Sequence, residues 1–162
     1  MKKISYLLIW FIFLINISAC TGYKPIFGSS NLRFEITDYS ISGDKRLGNQ
    51  IYSKLYNFSK SNKNDTEVKK IYILINTSQN KNATSKNSAG KILGYRINLS
   101  TTITAKDLMT GDEILDETFI YSSTYKTQDE FFETKKLEQQ TIENLINSTY
   151  QDLIIKLSES LL

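Results

Sequence analysis

Between positions 31 and 41, apolar and polar side chains alternate. Leu32, Phe34 and Ile36 stand against Asn31, Arg33 and Glu35, the period of a half-buried strand. The pattern continues through Tyr39 and Ile41 but slips by one residue at Asp38, which predicts a bulge. The spacing then lengthens. Leu47, Ile51, Leu55 and Phe58 form one apolar stripe of a helix over 45–59, flanked by Tyr52 and Tyr56, with Ser42-Gly43-Asp44 as its start signal. Alternation returns over 70–77, where Ile71, Ile73 and Ile75 face one side and Tyr72 and Leu74 the other. Two rather apolar faces predict an inner strand.

The longest period-two run spans 93–105. Leu93, Tyr95, Ile97, Leu99 and Ile103 are expected to face a core, and Arg96, Asn98, Ser100 and Thr102 to face outward. A turn at Met109-Thr110-Gly111-Asp112 leads into Leu115, Phe119, Tyr121 and Tyr125, so two long strands form an antiparallel hairpin. Ile142, Ile146, Tyr150, Leu153, Leu157 and Leu161 then define a closing helix over about 129–160, with fraying expected near 131–134. The polar stretches 59–67 and 78–90 read as loops, the second as a long, mobile hairpin connection. The order β-α-β-β-β-α predicts an α+β fold: a two-layer sandwich of a four-stranded, mostly antiparallel sheet with two helices on one face.

The first twenty residues follow a different rule. Lys2 and Lys3 precede an apolar run from Ile4 to Ile17, and Ser18-Ala19-Cys20 closes it. A basic start, a short apolar stretch and small residues describe a secretory signal peptide. The run is shorter than the roughly 20 apolar residues of a bilayer span. Apolar-Ser-Ala-Cys resembles the bacterial lipobox, in which the cysteine becomes the first mature residue and carries a diacylglycerol on its sulfur. Cys20 is the only cysteine of the chain and stands where that signal needs it. Several acyl chains hold a protein on a membrane where one does so only marginally. Thr21 is not the Asp that retains such proteins at the inner membrane of enteric bacteria, so the expected address is the periplasmic side of the outer membrane. The expected divisions are a lipoprotein signal peptide at 1–19, a lipidated tether at 20–30 and one α+β domain at 31–162.

Composition narrows the function. Loss of Lys2 and Lys3 takes the formal charge from +3 to +1, and no Lys/Arg stripe suggests a nucleic-acid partner. A lipidated Cys20 leaves no disulfide, so the fold rests on its apolar core. The chain has no histidine, which removes the usual imidazole base of nucleophilic catalysis and a common zinc ligand. The carboxylate pairs Asp112-Glu113 and Asp116-Glu117 fall in a turn and on a strand, where solvated charge is their ordinary role. The expectation is a binding or assembly protein with no cofactor, no metal and no catalytic residues.

Taken together, Cys20-Thr21-Gly22-Tyr23-Lys24-Pro25-Ile26-Phe27-Gly28, Arg46-Leu47-Gly48-Asn49-Gln50, the strand over 71–77, the long hairpin with its Thr110-Gly111 turn, the Ser/Thr/Tyr-rich end at 121–125 and the closing helix resemble the LPS-assembly lipoprotein family, LptE, in its alphaproteobacterial form. One departure is Thr21, inserted between Cys and Gly. The resemblance implies a lipoprotein that binds the outer-membrane β-barrel LptD, sits partly in its lumen as a plug, assists its assembly and helps deliver lipopolysaccharide to the outer leaflet. A strand face rich in Thr, Ser and Asn suits a polar lumen, and equally suits plain solvent. Lipopolysaccharide carries phosphates, so Lys91, Arg96, Lys106 and Lys126 around the long hairpin are its candidate contacts. The alternative is a pilot or auxiliary lipoprotein of another envelope transporter or secretin.

Lipidation at Cys20 is directly testable. Mass spectrometry of the membrane fraction is expected to show a mature chain starting at Cys20 with acyl mass added, and Cys20→Ser is expected to release the protein from the membrane. A Cys20→Ser protein that stays equally membrane-bound contradicts the assignment.

Overall fold

The computed structural model describes residues 33–61 and 68–161. The expected signal peptide, Cys20, the tether, the Gly22–Gly28 motif and positions 62–67 of the expected first loop lie outside the described residues. The elements run β1 (Phe34–Gly43), α1 (Lys45–Ser61), β2 (Lys69–Lys86), β3 (Ile92–Asp107), β4 (Glu113–Lys126) and α2 (Phe131–Leu161). The sheet order is β1-β2-β3-β4, with β1 parallel to β2 across the α1 crossover and both later pairs antiparallel. This is the expected α+β sandwich.

The first crossover explains itself residue by residue. The register of β1 on β2 shifts between Ile36 and Asp38, where the hydrophobic phase slips. Gly43 then takes φ 72°, and a Cβ there would stand 2.0 Å from the Thr77 carbonyl oxygen, so only glycine fits. Asp44 caps α1, its Oδ1 accepting the amides of Arg46 at 3.0 Å and Leu47 at 3.1 Å. The Asp44 amide donates to the Thr77 carbonyl, and the Thr77 hydroxyl to the Asp44 carbonyl, both at 2.7 Å. One turn on, Gly48 lets the helix approach β1: a Cβ would meet Ile41 Cγ2 at 2.5 Å.

The core fills the space between sheet and helices. Phe34 and Ile36 of β1, Ile71, Ile73 and Ile75 of β2, and Ile97, Leu99 and Ile103 of β3 meet Leu47, Ile51 and Leu55 of α1 and Ile146, Leu153 and Leu157 of α2. α1 covers β1 and β2, α2 covers β4 and β3, and the helices touch each other. Replacing one such buried aliphatic residue by Ala costs about 2–5 kcal/mol.

The expected 78–90 loop is the main correction. β2 continues to Lys86 and pairs with β3 from Ser78↔Ser100 to Lys86↔Ile92, leaving a short turn at 87–91. Asn87 closes that turn, its Oδ1 accepting the amides of Ala89 at 3.0 Å and Lys91 at 2.8 Å. The extension looked like a loop because its inward positions are Gln79, Lys81 and Ala83 rather than aliphatic residues. Lys81 replaces the missing apolar contact with a clamp. Its ammonium lies 2.9 Å from Glu138 of α2, and 4.2 and 5.5 Å from the ring centroids of Tyr95 and Tyr125, which stack on each other.

Two smaller expectations also fail. Leu93 is 42% exposed, because the β2–β3 register shifts between Ser85 and Lys86, pairing Gly94 and Ile92 and skipping Leu93, so the alternation is broken there. The 131–134 segment is the formed first turn of α2, tied by the Gln128 amide donating to Thr134 Oγ1 at 2.7 Å.

The clamp ties stability to pH. Burial raises the Glu138 carboxyl, but Lys81 and Lys135 outweigh it and hold the group below its ordinary 4.5. Burial lowers Lys81, but Tyr125 and Glu138 outweigh it and hold the ammonium above 10.5. The Glu138 contribution is therefore full above about pH 4.5 and lost as pH falls through its lowered value. The Lys81 contribution is full below 10.5 and lost as pH rises through its raised value. Glu138→Gln is expected to lower stability at pH 7 by about 1 kcal/mol, and the gap in melting temperature from wild type is expected to narrow at about pH 3. A gap unchanged by pH contradicts the clamp.

Candidate binding face

The side of the sheet away from the helices carries the candidate site. Register places Ser40, Leu74, Thr104 and Asp116 in one row across the four strands, and Ser42, Asn76, Thr102 and Thr118 in the next. Beyond the end of β1 the rows continue as Ser78, Ser100, Ile120, then Asn80, Asn98, Ser122, then Asn82, Arg96, Thr124. Short hydroxyl and amide side chains therefore tile this face. Thr102 and Thr118 share a hydrogen bond at 2.9 Å, and the Thr104 hydroxyl donates to Asp116 at 3.0 Å, so cross-strand pairs hold part of the array in place. Ile120, 71% exposed, is the large apolar side chain that stands out near its middle.

The four basic candidates divide. Arg96 and Lys126 lie on this outer face near the 87–91 turn, and Lys91 ends that turn, 3.7 Å from the Asp129 carboxylate. Lys106 pairs with Tyr72 and Glu113 at the opposite end of the face, roughly 33 Å from Arg96 along β3 at about 3.3 Å per residue. The structure thus groups Lys91, Arg96 and Lys126 and leaves Lys106 apart.

The acidic pairs do not converge. Asp112 ends the β3–β4 turn, Asp116 accepts Thr104, and Glu117 lies across β3 from Ile103 on the other side of the sheet. No group of three or more acidic, His or Cys side chains with metal-binding geometry occurs among the described residues. A groove of about 490 Å³ runs between the helices, lined by the amides Asn49, Gln50 and Gln139, by Ser53 and Ile142, and by the charged Arg46, Lys54 and Glu143.

Other polar contacts fix the face from behind. The Tyr121 phenol donates to Asp152 and ties β4 to α2. Burial first, then the Asp152 charge, push that phenol up to about 12, so it remains a neutral donor across the physiological range. At the far edge of the sandwich, Tyr39 of β1 stacks on Tyr52 of α1 at 3.8 Å, and Tyr52 on Tyr56 at 5.6 Å. Burial, then neighbouring Tyr39, Tyr56 and Asp38, raise the Tyr52 phenol.

Sequence reasoning missed Ser78, Asn80 and Asn82 as members of the face. The available signal was the turn chemistry of Asn87-Ser88-Ala89-Gly90, where Gly90 takes φ 82°. It sits between two segments whose polar residues pair one to one.

No family model matches the chain, and no curated protein sequence matches it. Solved structures do. A lipoprotein of Nitrosomonas europaea, called lipoprotein B, aligns with TM-score 0.56 at 15% identity over 82% of this chain and 88% of that one. A lipoprotein of Caulobacter crescentus CB15 aligns with TM-score 0.53 at 15% identity, covering 78% and 89%. The rare lipoprotein B of Shewanella oneidensis aligns with TM-score 0.51 at 16% identity, covering 76% and 95%. The domain therefore has the fold found in these bacterial lipoproteins.

Proposed function

We propose that this protein is an outer-membrane lipoprotein of the LptE type, anchored through Cys20, that docks its polar sheet face inside the LptD β-barrel. There it acts as a plug, assists barrel assembly and supports insertion of lipopolysaccharide into the outer leaflet. The observation that carries the reading is the outer face itself. It is broad, tiled with Ser, Thr and Asn, and neither of the described helices packs over it. A barrel lumen is lined with polar side chains, so a complementary plug needs hydrogen-bonding groups held in a rigid array. The lipobox and the fold shared with rare lipoprotein B support the same reading. Lys91, Arg96 and Lys126, gathered at one end, are the preferred contacts for lipopolysaccharide phosphates, and Lys106 is not.

Binding of this kind gains little from apolar burial and depends on shape and many hydrogen bonds. Photo-crosslinkers at positions 98, 100 and 102 are expected to capture a large barrel protein in the native envelope. Single polar truncations such as Asn98→Ala are expected to weaken the complex by less than about tenfold (about 1.4 kcal/mol). The bulky charge of Thr102→Arg is expected to block docking. Absence of crosslinks from all three positions, with folding and lipidation intact, contradicts the plug and favours a pilot lipoprotein.

A further inference from the structure

The turn between β3 and β4 displays apolar side chains on a rigid frame. Met109 is 82% exposed and Leu108 45%. The frame is built by Asp107, whose Oδ1 accepts the amides of Met109 at 2.8 Å and Thr110 at 3.2 Å. The Asp107 carbonyl accepts the Gly111 amide at 2.9 Å, and the Asp107 amide donates to the Asp112 carbonyl at 2.8 Å. Gly111 takes φ 79° to close the loop, and Lys69 stands 3.7 Å from the outer oxygen of Asp107. A loop so fully hydrogen-bonded that still directs a Met and a Leu into water is suited to a partner that takes up apolar side chains.

Its position identifies that partner. The Leu108 amide donates to the Lys70 carbonyl at 3.0 Å, and Phe34, where β1 begins, pairs with Lys69. The turn therefore lies at the end of the sheet where the chain enters the domain, about two strand spacings, roughly 10 Å, from that entry. Twelve residues separate Cys20 from Arg33. They reach at most about 45 Å, while the opposite tip at 87–91 lies about 50 Å further along the sheet. The N-terminal segment therefore joins the domain at the end of the sheet that carries this turn, not at the end that carries the other tip.

We propose that Leu108 and Met109 enter the lipid surface that carries the Cys20 anchor, as a second contact that fixes the tilt of the domain; this rests on the lipid-anchor reading above. The charges around the turn are balanced, Lys69, Lys70 and Lys106 against Asp107, Asp112 and Glu113. The contact is therefore apolar rather than electrostatic and is insensitive to salt. The surface entered is the phospholipid leaflet itself.

The mature chain offers a clean probe, because the only tryptophan, Trp10, lies in the signal segment. Lipidated protein carrying Met109→Trp is reconstituted into phosphatidylethanolamine–phosphatidylglycerol vesicles with brominated acyl chains. Its emission is expected to shift to the blue and to be quenched about twofold, at low and high salt alike. Phe132→Trp, at a site 72% exposed at the start of α2, is expected to stay unquenched. Adding Leu108→Asp to Met109→Trp is expected to reduce quenching to that control level. Protein that floats with the vesicles but keeps a solvent-exposed tryptophan at position 109 overturns this proposal and leaves the anchor standing. Quenching at position 132 instead overturns it by reversing the orientation. Protein that does not float removes both readings together.

Discussion

β3 is hydrogen-bonded to β2 on one side and β4 on the other along nearly its whole length, and that double pairing decides which side of the sheet is dry. Its odd-numbered residues Ile97, Leu99, Thr101, Ile103 and Ala105 are buried, while Arg96, Asn98, Ser100 and Thr102 point the other way. A slip of one residue would exchange the two sets, carrying three large aliphatic side chains into water and an arginine into the core. Each aliphatic residue lost from the core removes about 1.5–3 kcal/mol of burial, so the register is strongly determined. The wet face inherits that precision: its hydroxyls and amides are held in fixed rows because the opposite side cannot move.

The two halves of the sandwich reach that end by different means. Where β1 lies alongside β2, helices α1 and α2 close over aliphatic residues, and the Gly43-Asp44-Thr77 junction sets the crossover. Past Thr77 β1 is gone and the inward side chains of β2 become polar. There Lys81, Glu138, Tyr95 and Tyr125 replace aliphatic packing by an ion pair over stacked rings. The side-chain oxygens of Gln79 and Thr101 are buried without a protein partner among the described residues. Such groups cost about 1–3 kcal/mol each, so this half relies more on specific polar geometry than on core volume.

That division also explains what was legible in the sequence. Strands whose inner face is aliphatic were readable to within a residue or two, as was the bulge at Asp38. Helix α1 was legible from its stripe and its Asp44 cap, since local chemistry and packing there agree. The distal half of β2 was not, because its inward positions Gln79, Lys81 and Ala83 are not aliphatic, and Lys81 meets the core through partners on α2 and β4 that are far away in sequence. Leu93 misled for a different reason: it follows the apolar alternation of the sequence, but the pairing register slips at that residue. Of the candidate contacts, pattern alone placed Arg96 and Lys106 on one strand face. Only the pairing register shows that Arg96 keeps company with Lys126 and Lys91 while Lys106 stands at the far end.

The proposed function requires one rigid sheet with a dry side that makes the fold and a wet side that meets a barrel. Thiol labelling along β3 tests this most directly, using single cysteines introduced in a Cys20-replaced domain at each position from 96 to 103. Alone, the substitutions Arg96→Cys, Asn98→Cys, Ser100→Cys and Thr102→Cys are predicted to label fast, and Ile97→Cys, Leu99→Cys, Thr101→Cys and Ile103→Cys slowly. With the barrel bound, the fast four are predicted to become slow. Labelling without alternation in the free domain would contradict the register, and a fast set that stays fast in the complex would contradict the docking face.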